Sequence, residues 1–298
     1  MQFVFFNESG TLRSGWRAGV FLIAFLIATI ALGAVAQVSL TSFQIAASQS
    51  SSVVFLANAL ASLIPAIVIG WLCGKYLEEL PFAALGANFV GRWFSHLLAG
   101  LALGTAALGF AVLIAVVFAG LKFAMSETGE NALASLALGF LVFGVAAAFE
   151  EALFRGYIFQ TLARSGLAWL AILLTAVFFG TVHLGNPSSS VVSTLNTILA
   201  GVWLGIAYLK TRDLWFVWGI HLAWNWVQGS VFGIEVSGLR NLGGPSLMTE
   251  IDAGPTWLTG ANYGIEGGIA CTIAIVLAIV LVYFLPIRPV GEGRTNSR

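Results

Sequence analysis

The sequence predicts an all-α fold, a polytopic bundle of about eight transmembrane helices. Three observations carry that prediction. The 298-residue chain is 59% hydrophobic and only 9% charged, and its mean hydropathy is +0.95. Its apolar runs are long enough to cross a bilayer, which takes about 20 residues of helix. A membrane β-barrel would show short alternating segments instead. Lysines and arginines, finally, collect in every second connection.

The first apolar run covers about 17–38, behind Arg13 and Arg17. Ala34-Val35-Ala36 near its end resembles a signal cleavage site. The run is longer than a signal core and more spans follow, so an uncleaved anchor is expected. The uncharged TSFQIAASQSSS leads to a second span at about 52–74, and Lys75 and Arg92 separate that from a third at about 95–121. His96 reads as an interfacial residue at the start of the third. The fourth run, about 132–163, exceeds a perpendicular span and should tilt or protrude. Spans at about 168–184, 190–209 and 214–232 follow, then a last one at about 265–285. Gly100-xxx-Gly104 and Gly201-xxx-Gly205 allow close helix approach. The loop 233–264 is rich in Gly, Pro, Asn and acids and reads as a connector, with a lid as the second reading.

Arg13, Arg17, Lys75, Arg92, Arg164, Lys210, Arg212, Arg288, Arg294 and Arg298 fall on one side, and only Lys122 and Arg240 on the other. The positive-inside rule then puts both termini in the cytoplasm. Three parts are expected: 1–130 with three spans, a 131–232 core with four, and 233–298 with a loop, the last span and a cytoplasmic tail. The formal net charge is zero and there is no basic tract, so nucleic acid is not a partner, and membrane lipid is. Cys73 and Cys271 sit far apart in apolar sequence and read as small buried hydrophobes.

Against this background FEEALFR, Phe149 to Arg155, stands out. Each charge near a membrane helix centre costs roughly 2.5–3.5 kcal/mol, so such residues usually face a bundle interior or wet cavity and serve a function. Glu151 and Arg155 are four apart with the acid first, the favoured order for an ion pair. Glu150 points about 100° away in a helix and keeps no local cation, as suits a general base. FGTVH puts Phe179 and His183 on one face of the next helix, and HLAWN puts His221 and Asn225 on one face of another. A carboxylate and a histidine can activate water, while a second histidine and a carboxamide can stabilise an oxyanion. Glu150, Glu151, His183, His221 and Asn225 are therefore the candidate catalytic set, with Arg155 and Phe179 in support. Glu150, His183 and His221 are also of the type that holds a divalent metal such as zinc, and a metal-free reaction fits equally. Trp224 and Trp226, which flank Asn225, read as interface anchors, with shaping of a pocket as the second reading. At about 1.5 Å per residue, His221 lies about 10 Å from the cytoplasmic end of its span, and Glu150 and His183 about twice as deep. The groups meet only if the helices tilt or break.

EEALFR, FGTVH and HLAWN resemble the EExxxR, FxxxH and HxxxN motifs of the CPBP family of intramembrane proteases, which includes type II CAAX prenyl endopeptidases and bacterial Abi proteins. The resemblance implies endopeptidase activity on a peptide or protein substrate that is in some members lipid-modified, and a cavity open to the cytoplasm. It makes Glu150 the base with His183 at the water, and His221 with Asn225 the oxyanion site. The N-terminal FFNESGTLRSGWRAG is similar to that of bacterial members, which implies a bacterial cytoplasmic membrane. Two other classes share these residues: a proton-coupled transporter, since buried Glu and His build proton relays, and a catalytically silent membrane scaffold or immunity protein.

Overall fold

Apolar segments in hydrocarbon must satisfy every backbone N–H and C=O internally, and helices do so. The computed structural model of the chain describes residues 2–8, 10–42, 51–89, 91–126, 131–287 and 289. Arg294, Arg298 and Arg288, which contributed to the orientation expected above, lie outside the described residues, as does most of the linker 41–52.

The main helices are α1 (Ser14–Ser42), α2 (Ser51–Glu78), α3 (Trp93–Ala119), α4 (Ala132–Glu151), α5 (Ile158–Arg164), α6 (Ala168–Val182), α7 (Val191–Thr211), α8 (Leu214–Trp226) and α9 (Ile269–Phe284). Among the described residues, six segments are long and apolar enough to cross a membrane: α1, α2, α3, α4 with α5, α6 with its last turn, and α7. The seventh expected span is helical over nearly its whole length, α8 being continued by the π turn Val227–Val231, and the eighth is shorter, 16 residues in α9. α8 is central: Leu214, Phe216, Val217 and all of Gly219 to Trp224 are buried against neighbouring helices. For α9 the expected first turn is taken by a 3₁₀ turn, Ile265–Gly267, seated beside α7.

α8 lies against α3 along the predicted glycine face. A Cβ at Gly100 would run into the Phe216 carbonyl, and one at Gly104 into that of Ile220. Gly201 likewise lets α7 approach Ala176 of α6. Both small-residue pairs thus pack helices, as the sequence suggested. The overlong fourth run is not straight. A π-helical turn, Ala152–Tyr157, follows α4, and Gly156 within it leaves helical geometry with ψ −124°. A second π turn, Val227–Val231, extends α8.

The two ends of the bundle differ. At one, Glu78 accepts from Arg17 (3.0 Å), Arg164 (3.0 Å) and Thr161 (2.6 Å), which joins α1, α2 and α5. His96 is at this end too, but buried: its Nδ1 lies 2.8 Å from Asp213, whose other oxygen caps α8 at the Trp215 N–H. The interfacial reading of His96 is therefore corrected, because a buried carboxylate holds the ring inside. At the other end β1 (Lys122–Met125) pairs antiparallel with β2 (Met248–Ile251), Lys122 opposite Ile251. There the 233–267 segment folds back over the helices, with Asn186 donating to the Ser237 carbonyl at 3.0 Å.

Candidate active site

The π turn after Glu151 re-aims the end of the FEEALFR segment. Such bulges are frequent at functional sites because they rotate side chains off the regular helical face. Arg155 is completely buried. Its Nη1 donates to Glu151 Oε1 at 3.1 Å, and its Nη2 to the Gly201 carbonyl at 3.1 Å. The guanidinium also lies 5.0 Å from the centre of the Phe179 ring. The i,i+4 pair read from the sequence is present, and it reaches α7 and α6 as well.

Glu151 has a second partner. The same Oε1 lies 2.8 Å from His221 Nδ1. A carboxylate there fixes the proton on Nδ1 and turns Nε2 the other way. Nε2 in turn sits 3.5 Å from Glu150 Oε2. His221 is thus clasped between two adjacent carboxylates of another helix, a contact that spacing alone could not reveal. The depth conflict noted above disappears, because the break after α4 and the central position of α8 bring Glu150 and His221 together.

Phe179 organises the remaining space. Its carbonyl accepts from His183 Nδ1 at 2.7 Å, which leaves Nε2 of His183 as the ring's free nitrogen. Its ring meets His183 edge-on at 4.8 Å and His221 at 5.9 Å, nearly perpendicular. One aromatic therefore spaces both histidines and covers the arginine. Asn225 lies one turn beyond His221, partly open, and forms no side-chain hydrogen bond among the described residues.

Glu150, His183, His221 and Asn225 all line one cavity of about 260 Å³. Its other walls include Trp224, Asn196, Ser237 and Glu266. The cavity belongs to the end of the bundle that carries β1, β2 and the 233–267 segment. Glu151 faces a different cavity, apolar and about 320 Å³, reached from the end that carries Glu78 and lined by Leu63, Phe82, Trp215 and Trp218. Glu150 thus borders the polar cavity, whereas the buried Glu151 borders an apolar one. The cytoplasmic opening implied by the resemblance does not match the polar cavity if the arginine-bearing end is cytoplasmic, since the polar groups face the other end.

Several expectations change here. The 233–264 segment is more than a connector, because Val236, Ser237 and Leu239 form cavity wall. Trp224 shapes the pocket and Trp226 donates to the Leu136 carbonyl at 2.9 Å, so neither is an interface anchor. Cys73 and Cys271 are free and buried, as expected. Glu266 had no place among the predicted residues. Its signal was an acid at the head of the last apolar run, where it looked like an ordinary boundary charge.

As for a metal, no three His, Cys, Asp or Glu side chains among the described residues converge on one point. Glu150 and His221 face each other, and His183 donates from Nδ1 to the Phe179 carbonyl, which leaves its Nε2 open. The proposed zinc-type set Glu150, His183 and His221 does not form a ligand cage as arranged.

Residues 132–227 match the family model described as type II CAAX prenyl endopeptidase Rce1-like. No curated protein matches the chain. The matched third of the sequence contains all three motifs and every candidate side chain from Glu150 to Asn225. Over this core, the chain is similar to the type II CAAX prenyl endopeptidases that the family model describes.

Proposed function

We propose that the protein is an intramembrane endopeptidase that hydrolyses a peptide bond with a glutamate-activated water. The observation that carries this reading is the Glu151–His221–Glu150 clasp, with His183 and Asn225 facing the same cavity. Glu150 takes the proton of a water whose other hydrogen is held by Nε2 of His183, the nitrogen left free by the Phe179 carbonyl. The hydroxide adds to the scissile carbonyl. The Asn225 carboxamide and Nε2 of His221, in the doubly protonated form of the ring with Nδ1 held by Glu151, donate to the oxyanion that forms. Collapse of the tetrahedral intermediate breaks the C–N bond, and Glu150 returns its proton to the leaving amine. Arg155 holds Glu151 in place, a positioning role.

Substrate would enter from the end carrying β1 and β2. If the arginine bias orients the chain, that is the extracytoplasmic face of a bacterial membrane. The substrate is a peptide or membrane-adjacent protein segment; whether it carries a lipid is not specified by the polar cavity. The test compares peptide cleavage by purified wild type with that by Glu150→Gln, which keeps the side-chain volume. A loss of at least about 100-fold is expected for removing a general base. Equal activity would refute the assignment. Proton-coupled uptake in proteoliposomes without any peptidase activity would favour the transporter reading instead.

A further inference from the structure

Glu266 is outside all three motifs, yet its carboxylate is on the wall of the same cavity as Glu150. It is held with unusual care. Oε2 accepts from the Ser237 N–H at 2.7 Å and from its hydroxyl at 2.8 Å, and Oε1 accepts from the Trp224 indole N–H at 3.1 Å. The turn that carries it is fixed as well. Asn196 donates to the Glu266 and Gly268 carbonyls at 2.8 and 2.9 Å, and Thr272 donates to Asn196 Oδ1 at 2.6 Å.

A carboxylate has about four acceptor sites, and the protein fills three of them, all with neutral donors. The fourth, on Oε1, has no partner among the described residues. Nor does a compensating cation exist nearby: no lysine or arginine lines the cavity, Glu266 forms no ion pair among the described residues, and the only basic groups are His183 and His221. A structural carboxylate buried against helices would normally be neutralised by such a partner. Here the fourth acceptor and the unbalanced charge both face space that substrate would occupy.

We propose that Glu266 is a specificity-determining residue that binds a positively charged side chain, lysine or arginine, of the peptide substrate. This rests on the endopeptidase reading of the cavity. An ammonium or guanidinium would supply the missing donor and the missing charge together, and charge-assisted hydrogen bonds are the stronger kind. Trp224 connects this subsite to the proposed oxyanion groups, since it lies between His221 and Asn225 on α8.

The experiment uses N-acetylated short-peptide libraries in which one position at a time is lysine, arginine, norleucine or glutamate. Acetylation removes the α-amine, so any preference reports a side chain. The full-length protein in detergent should cleave the best lysine or arginine series about ten-fold or more faster in kcat/KM than its norleucine counterpart, the scale of one hydrogen bond to a charged group. In Glu266→Gln that ratio should fall towards one. Dissociation constants measured on Glu150→Gln, and on the Glu150→Gln/Glu266→Gln double variant, give the same comparison without turnover. If wild type cleaves no peptide, the protease reading fails, and the binding preference still decides the role of Glu266. Equal kcat/KM and equal affinity for lysine and norleucine peptides at every position would overturn the proposal, and this comparison needs no Glu266 variant to fold. A preference that survives in Glu266→Gln, or a variant that only melts earlier with the ratio unchanged, would also overturn it and leave a structural tie between Ser237 and Trp224.

Discussion

Glu151 does two tasks with one oxygen, holding Arg155 and His221 at 3.1 and 2.8 Å. Its replacement should therefore cost both stability and activity. Glu151→Gln leaves the wholly buried Arg155 without its carboxylate, and breaking such a pair costs about 3–5 kcal/mol. A lowered thermal midpoint in detergent, larger than that of Glu150→Gln, is the expected result. Equal midpoints for the two variants would show that the pair does not carry stability. The Glu151–Arg155 pair was legible in the sequence because an i,i+4 contact is local. The Glu151–His221 contact was not, since it joins residues 70 positions apart, and no helical rule specifies which helices face each other. His96 shows the same limit: the sequence marked its depth along the span but not Asp213 beside it.

At the scale of elements, the glycine faces were legible and the breaks were not. Gly104 faces the Ile220 backbone with no space for a Cβ, so Gly104→Leu should push α3 from α8, at about 1–3 kcal/mol or more. Cysteine cross-linking between these helices, or the melting temperature, would reveal it; an unchanged midpoint would mean that the contact is not close. The π turn Ala152–Tyr157 had no such sequence signal, because a π turn uses the same apolar residues as the helix that it interrupts. The β1–β2 pair carries a further prediction. Burial, then the charges of Glu235 and Asp252, push the Glu250 carboxyl up to about 8, opposed by Arg240. A raised folded-state value means that the strand pair is most stable below the unfolded value of about 4.3 and loses stability as the pH rises through about 8. The protection of the β1 and β2 amides, their exchange relative to the intrinsic rate at each pH, should therefore fall between those limits, and Glu250→Gln should flatten that profile. A flat profile in the wild type would contradict the cause assigned.

For the whole molecule, the decisive question is which end faces the cytoplasm. If the arginine-bearing end is cytoplasmic, the polar cavity lies on the extracytoplasmic side. Asn262 and Tyr76 are exposed at opposite ends, and the native cysteines are buried. In intact cells, an impermeant maleimide should label Asn262→Cys and not Tyr76→Cys. The reverse pattern would put the polar cavity on the cytoplasmic side. The bundle and its motif-bearing helices were legible because hydrocarbon tolerates so few charges that each one is conspicuous. The side of access was less so: it depends on how a polar loop folds back, and polar loops carry no periodic signal.

That fold-back separates two layers of the molecule. The candidate catalytic groups come from α4, the end of α6 and α8, which cannot change without disturbing close-packed backbone. Glu266, Ser237 and the rest of the far wall come from a loop held by Asn186, Asn196 and the β pair. A loop has fewer packing obligations than a helix in the bundle core, so this wall can diverge while the helices stay as they are. Related chains with the same three motifs could then accept quite different peptides, and exchange of the 233–267 segment between them would be the direct way to transfer one chain's selectivity to another.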